Sequence, residues 1–250
     1  MQNEFLQKTV WIVGADQGIG LEVMKKFHSL GYNVIGIDKT SANTPEYLKH
    51  LVHLCDISNH QNMILLCQQL LKESPPDYFV HVAGILHFGD FYSMKPTQIT
   101  ECFNVNTFSA LYFMQELVPY FKKKQQGSVV IISSNAARTP RVGMSIYGAS
   151  KAAMTYLAKV MALELAQDNV RVNIVSPGST NTNMLTNMKN ENFDNNIIAG
   201  DLKNYKIGIP LQKIANPNEI AEAVLFLIQE QSSHITMHDL VVDGGATLGC

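Results

Sequence analysis

Seven short apolar runs, set along the whole chain and separated by longer amphipathic stretches, constrain the fold of this sequence more than any other feature. They lie at 9–14 (TVWIVG), 32–38 (YNVIGID), 51–57 (LVHLCDI), 78–84 (YFVHVAG), 128–134 (SVVIISS), 170–178 (VRVNIVSPG) and 239–245 (DLVVDGG). Each is rich in β-branched residues and lacks the polar alternation of a half-exposed strand, as expected of strands buried on both faces. Helical periodicity fills the gaps at 19–30, 58–73, 96–124, 145–167 and 217–231. Strand and helix therefore alternate from end to end, which predicts an α/β fold: one doubly wound parallel sheet of about seven strands with helices on both faces. At 250 residues and 46% hydrophobic content, a single domain over 1–250 has enough apolar surface for one large core. The pairs at Pro75-Pro76 and 125–128 read as turns within it. The Asn-rich stretch 180–204 reads instead as a mobile insertion, and a lid over the carboxyl ends of the strands is expected around 180–208.

Composition narrows the partners. The formal net charge is -2, so no basic excess exists to track a phosphate backbone, and nucleic acid is not expected. No apolar run approaches the ~20 residues of a membrane span, and MQNEFLQK lacks the basic-then-apolar layout of a signal peptide. A cytoplasmic protein without membrane partners is the expectation. Cys55, Cys67, Cys102 and Cys250 show no C-x-x-C spacing and read as free thiols. His50 and His53 read as surface residues, so no metal is expected.

Two local features carry chemistry. The first apolar run ends in V-G-A-D-Q-G-I-G, placing Gly14, Gly18 and Gly20, with Gln17 and Ile19 between them, at the entry to a helix. Such a turn lets backbone amides approach a pyrophosphate whose charge the helix N-terminus favours. Asp38 ends the second run, 18 residues after Gly20, where a carboxylate accepts hydrogen bonds from an adenosine ribose and repels a further phosphate, although Lys39 beside it softens that repulsion. The second feature is SIYGASKAAM, in which Tyr147 and Lys151 stand four apart and share one helical face.

Gly14, Gly18 and Gly20, Asp56 in CDIS, AGI at 83–85, Asn106 in FNVN, Ser134, Tyr147, Lys151 and SPG at 176–178 occur in one order across nearly the whole chain. In order and spacing the set resembles the short-chain dehydrogenase/reductase family. That resemblance implies a Rossmann-type sheet and a catalytic set of Asn106, Ser134, Tyr147 and Lys151. It implies an NAD site formed by Gly14, Gln17, Gly18, Ile19, Gly20, Asp38, Asp56, Ala83, Gly84, Tyr147, Lys151, Pro177, Gly178 and Thr180. Tyr147 would then act as base, its anion favoured by Lys151 and by the positive nicotinamide, while Ser134 orients the reacting oxygen. Asn106 would bend its helix and hold a water that relays protons to Lys151. Two positions differ from the family: Val13 stands where a threonine hydroxyl usually braces the turn, and His81-Val82-Ala83-Gly84 stands for Asn-Asn-Ala-Gly. Neither touches the proton-transfer residues, so activity is expected to survive.

The segments AGILHFGD, TPRVGMSIYGASKAA, VSPGSTNTNM, KIGIPLQKIANPNEIA and SHITMHDLVVDGGATLG resemble, within that family, dehydrogenases of a cyclohexadiene diol carboxylate. Oxidation of such a ring alcohol gives a ketone that enolises to a catechol. The substrate carboxylate calls for a guanidinium, and Arg141, stiffened by Pro140, is preferred over Arg138, with His87 a second candidate. With Ser134 and Tyr147, Met144 and Met184 complete the expected substrate site, and Leu185 and Met188 would help cover the ring. A 3-ketoacyl or polyol reductase of the same family is the alternative reading, and a non-catalytic dinucleotide-binding regulator is the alternative of another class. The family resemblance also implies a homotetramer. Phe103, Phe108, Leu111, Tyr112, Phe113, Leu117, Tyr120 and Phe121 give the 96–124 helix more aromatic surface than one core-facing stripe needs.

Overall fold

The apolar runs fold as parallel strands because both of their faces are covered. In the computed structural model, which describes residues 8–186 and 197–249, they form β1 (Thr9–Val13), β2 (Asn33–Asp38), β3 (Val52–Leu54), β4 (Tyr78–His81), β5 (Gly127–Ile132) and β6 (Val170–Pro177). A small antiparallel hairpin of β7 (Gly200–Asp201) and β8 (Lys206–Ile207) precedes the last sheet strand, β9 (Asp239–Val242). The seven-stranded sheet runs β3-β2-β1-β4-β5-β6-β9, all neighbours parallel. Alternate residues of one strand feed opposite cores. Val10 and Ile12 pack with Val23, Phe27 and Val224 from α1 (Gly18–Ser29) and the helix Pro217–Ile228. Trp11 and Val13 pack with Met63, Phe113 and Met154 from α2 (His60–Glu73), α4 (Ser109–Lys124) and α5 (Ser145–Leu165). Period-two burial on two faces is what removes polar alternation from the sequence.

The chain leaves β1 toward β2 and β3, then returns to β4 on the other side of β1. This reversal opens a crevice at the carboxyl ends of β1 and β4, the place where a doubly wound sheet binds its ligand.

The stretch 96–124 does not form the one continuous helix that its periodicity predicts. It divides into α3 (Pro96–Phe103), a π-helical turn over Asn104–Phe108, and α4. The hydroxyl of Ser109 donates to the Val105 carbonyl at 2.7 Å, satisfying an acceptor in the widened turn. His81 Nε2 lies 2.8 Å from the same hydroxyl. Since the serine proton is committed to Val105, the His81 proton is assigned to Nε2. Burial, helped by the charge of Lys151, pushes His81 down to about 3, and it is neutral. The residue that replaces an asparagine of the family thus anchors the π turn.

The ends of the segment read as a mobile insertion are structured. Thr180 is buried and bridges Ala215, a short helix spans Asn183–Thr186, and the β7–β8 hairpin follows; Met188 lies outside the described residues. Cys55, Cys67 and Cys102 are buried free thiols, whereas Cys250 lies outside the described residues.

Candidate active site

At the dinucleotide end, the absence of side chains at three glycines shapes the backbone. Gly14 has φ +87°, and a Cβ there would lie 2.6 Å from the Ala83 nitrogen. Gly18 has φ +55°, and a Cβ at Gly20 would stand 1.8 Å from the Gly14 carbonyl oxygen. Gly20 does not line the cavity; it lets the first turn of α1 close against Gly14. The turn is braced without the missing threonine hydroxyl. Gly14 N donates to the Ile37 carbonyl at 2.8 Å, and the Val13 carbonyl accepts Val82 N at 2.8 Å and Ala83 N at 3.0 Å. A bare backbone cradle at the N-terminus of a 12-residue helix fits a pyrophosphate.

Asp38, at the end of β2, accepts the Asp16 amide at 3.0 Å, and burial raises its pKa. Asp16 is a residue that the sequence reading missed. It is wholly buried and accepts Thr44 N at 2.9 Å, Thr44 Oγ1 at 2.7 Å, Asn43 N at 3.0 Å and Asn43 Nδ2 at 2.8 Å. A carboxylate inside a phosphate-binding turn is an available signal, because it demands compensating donors. Here those donors tie the loop after Asp38 to the glycine turn. Asp56 accepts the Ser58 hydroxyl at 2.7 Å and its amide at 3.0 Å, bonds that pull its pKa down.

Asp38 and Asp56 stand at one end of a cavity of about 570 Å³ that also takes in Gly14, Gln17, Gly18, Ile19, Ala83, Gly84, Pro177, Gly178 and Thr180. Its other end holds Ser134, Tyr147 and Lys151. Ser134 follows β5 directly, and Tyr147 and Lys151 sit one turn apart in α5, both buried. Burial pushes Tyr147 up to about 12, against the opposing effect of its hydrogen bond with Ser134. Burial pushes Lys151 down to about 8, and its ammonium donates to the Ile132 carbonyl at 2.8 Å. The hydroxyl that perturbs Tyr147 in this arrangement is that of Ser134, where the sequence reading put Lys151 first.

Asn106 lies in the π turn behind the cavity wall. Its Oδ1 accepts Ile85 N at 2.7 Å, and its Nδ2 donates to Ile85 O at 2.9 Å and to Ser150 Oγ at 2.9 Å. A Cβ on Gly84 would lie 3.1 Å from Lys151 Nζ and 3.4 Å from Asn106 Oδ1, so the bare glycine admits both polar groups to one spot.

Arg141, Met144, Met184 and Leu185 line the same cavity, as does Lys206 of β8, which the sequence reading did not single out. Arg141 makes one long bond, to the Ala246 carbonyl at 3.4 Å. His87 is not in the lining; its Nε2 lies 2.9 Å from Glu101 Oε2. Among the described residues, no group of three or more metal-ligating side chains is assembled.

Residues 13–247 match the family model described as enoyl-(acyl carrier protein) reductase. The chain is similar to 2,3-dihydro-2,3-dihydroxybenzoate dehydrogenase of Escherichia coli (strain K12), at 41% identity over 98% of this chain and 99% of that protein. It is also similar to the vibriobactin-specific 2,3-dihydro-2,3-dihydroxybenzoate dehydrogenase of Vibrio cholerae serotype O1, at 40% identity over 96% of this chain and 95% of that protein. Of the solved structures, the ligand-free aldohexose dehydrogenase of Thermoplasma acidophilum matches with a TM-score of 0.86 at 28% identity, over 98% of this chain and 96% of that one.

Proposed function

Because the chain belongs to the short-chain dehydrogenase/reductase family, we propose that it oxidises 2,3-dihydro-2,3-dihydroxybenzoate to 2,3-dihydroxybenzoate with NAD, supplying a catechol acid for siderophore assembly. One observation carries the reading: Ser134, Tyr147 and Lys151 line the same cavity as Arg141, which supports one substrate meeting proton-transfer groups and a carboxylate partner together. The glycine turn, Asp38 and Asp56 hold the nicotinamide dinucleotide, which when bound supplies the hydride acceptor. Tyr147 receives the proton of the ring hydroxyl whose carbon is oxidised, and Ser134 hydrogen-bonds the same oxygen and orients it. Lys151 holds positive charge beside them. The ring ketone left behind enolises, and aromatisation draws the oxidation forward.

Asp38 favours NAD, since a half-buried carboxylate at the ribose repels an added phosphate. Purified protein mixed with the dihydrodiol acid and NAD is expected to produce NADH absorbance, while a 3-ketoacyl thioester with reduced cofactor gives little turnover. The reverse ranking would support the reductase instead, and equal kcat/KM with NADP would remove the cofactor assignment.

We also propose a cytoplasmic homotetramer. Phe108 of the π turn and Tyr156 and Leu163 of α5 remain exposed, at 37%, 71% and 67%, an apolar face of the kind that subunit contacts cover. Light scattering at micromolar concentration is expected to give four times the chain mass.

A further inference from the structure

Lys206 is oddly placed for a lysine. It is half-buried on a hairpin whose strands are two residues each, and it lines the same cavity as Ser134 and Tyr147. Among the described residues its ammonium has no hydrogen bond and no ion pair. Its neighbours do not neutralise it. Burial lowers its pKa first, the guanidinium of Arg141 lowers it further, and Asp201 opposes them. The Asp201 carboxylate is already engaged as the cap of the hairpin turn, accepting Lys203 N at 3.1 Å and Asn204 Nδ2 at 2.6 Å. Arg141 is in the same position. The acid that acts on it, Asp243, accepts Thr247 Oγ1 at 2.7 Å, Gly245 N at 2.9 Å and Asn135 Nδ2 at 3.2 Å. Two half-buried cations from different elements thus line one cavity, and the guanidinium disfavours the charge of the ammonium. Such an arrangement is relieved by an anion placed between them.

We propose that Lys206 is the second cation of a carboxylate clamp: Arg141 on the loop after β5 and Lys206 on the β7–β8 hairpin together hold the carboxylate of the substrate. The proposal rests on the dihydrodiol acid being that substrate. The guanidinium supplies a planar fork, and the ammonium supplies a point charge from a second element. Met144, Met184 and Ile209 line the pocket beside them and offer an apolar surface to the ring. The clamp makes the carboxylate a condition of good binding, since a neutral diol leaves two half-buried cations with only Asp201 and Asp243, both engaged elsewhere, to offset them. Specificity then comes from what an uncharged analogue fails to relieve.

The test uses the enzyme saturated with NAD, with Lys206→Met and Lys206→Arg variants beside the parent. Turnover is measured with the dihydrodiol acid and with the corresponding neutral dihydrodiol, and binding of 2,3-dihydroxybenzoate and of catechol is followed by fluorescence. Lys206→Met is expected to raise both the KM for the acid and the Kd for 2,3-dihydroxybenzoate by about tenfold, the scale of one charge-assisted bond. The neutral diol and catechol should change by less than about twofold, and Lys206→Arg should recover most of the loss. An unchanged KM and Kd for the acids in Lys206→Met, or equal losses on acid and neutral compounds, would overturn the clamp while leaving the proposed reaction intact. A parent enzyme that binds and oxidises no dihydrodiol acid would overturn the substrate reading and the clamp with it.

Discussion

Replacing Tyr147 with Phe is expected to lower kcat by about 10²–10⁴-fold, the range of a lost general base, while leaving the Kd for NAD within about twofold. The hydroxyl sits at the catalytic end of the cavity and shares a hydrogen bond with Ser134, whereas the glycine turn and Asp38 stand at the other end. Its removal therefore deletes the proton acceptor without touching the dinucleotide cradle. The pH profile supplies a second signature. Burial pushes Tyr147 up to about 12, so at neutral pH only a small fraction is deprotonated. That fraction grows tenfold for each pH unit below this value, so oxidation by the parent enzyme should accelerate as pH rises. In Tyr147→Phe the residual rate should lose this dependence. Steady-state rates over pH and calorimetric titration with NAD check both points; parallel losses in binding and turnover would indicate a folding defect instead.

Gly20→Ala is expected to cause the largest loss of cofactor binding of any single methyl added to this chain. The new Cβ would stand 1.8 Å from the Gly14 carbonyl oxygen, a backbone atom that no side-chain rotation can move aside. Gly14 cannot retreat either, since its own position is so close to Ala83 N that a Cβ there would lie at 2.6 Å. The turn must open, and with it the amides that approach the pyrophosphate. Overpacking of this kind costs about 1–3 kcal/mol, and in a chain of this size each kcal/mol lowers Tm by roughly 2–4 °C. The Kd for NAD should rise at least about tenfold, because the distortion falls on the cradle itself. Thermal melts with and without NAD separate the two effects: the parent should gain Tm from NAD and the variant should gain little. A variant with the parent's Tm and NAD affinity would show that the turn has slack that its geometry denies.

Those predictions draw on the part of the molecule most legible in its sequence. Buried parallel strands advertise themselves by losing alternation, and the turn after β1 is spelled by glycines that no other residue replaces. The substrate end was harder to read. Arg141 could be named because a stiff loop beside Tyr147 had to border the substrate. Lys206 sits just past the Asn-rich stretch, on a strand of two residues, too short for any period to register. Asp16 is hard to read because its partners, Asn43 and Thr44, lie 27 and 28 residues away and are unremarkable in themselves. His81 differs from the asparagine of the family, and only its neighbour Ser109, 28 residues on, shows what it does instead. Each of these depends on a long-range partner, and pairing of that kind has no local signature.

The π turn at Asn104–Phe108 carries a consequence for how the active site is specified. Each residue added to a helix advances everything after it by about 100°. The widened turn therefore sets the phase of α3 and α4 separately: Cys102 and Asn106 point to the catalytic end, while Phe113, Leu117 and Phe121 of α4 fall on the core beneath the sheet. Catalytic geometry here is written in the number of residues as much as in their identity. A chain one residue shorter in this stretch could restore an unbroken ladder of i to i+4 bonds and become the steadier helix, yet it would swing Asn106 away from Ile85 and Ser150. In this stretch, regularity of the helix and precision of the chemistry are alternatives.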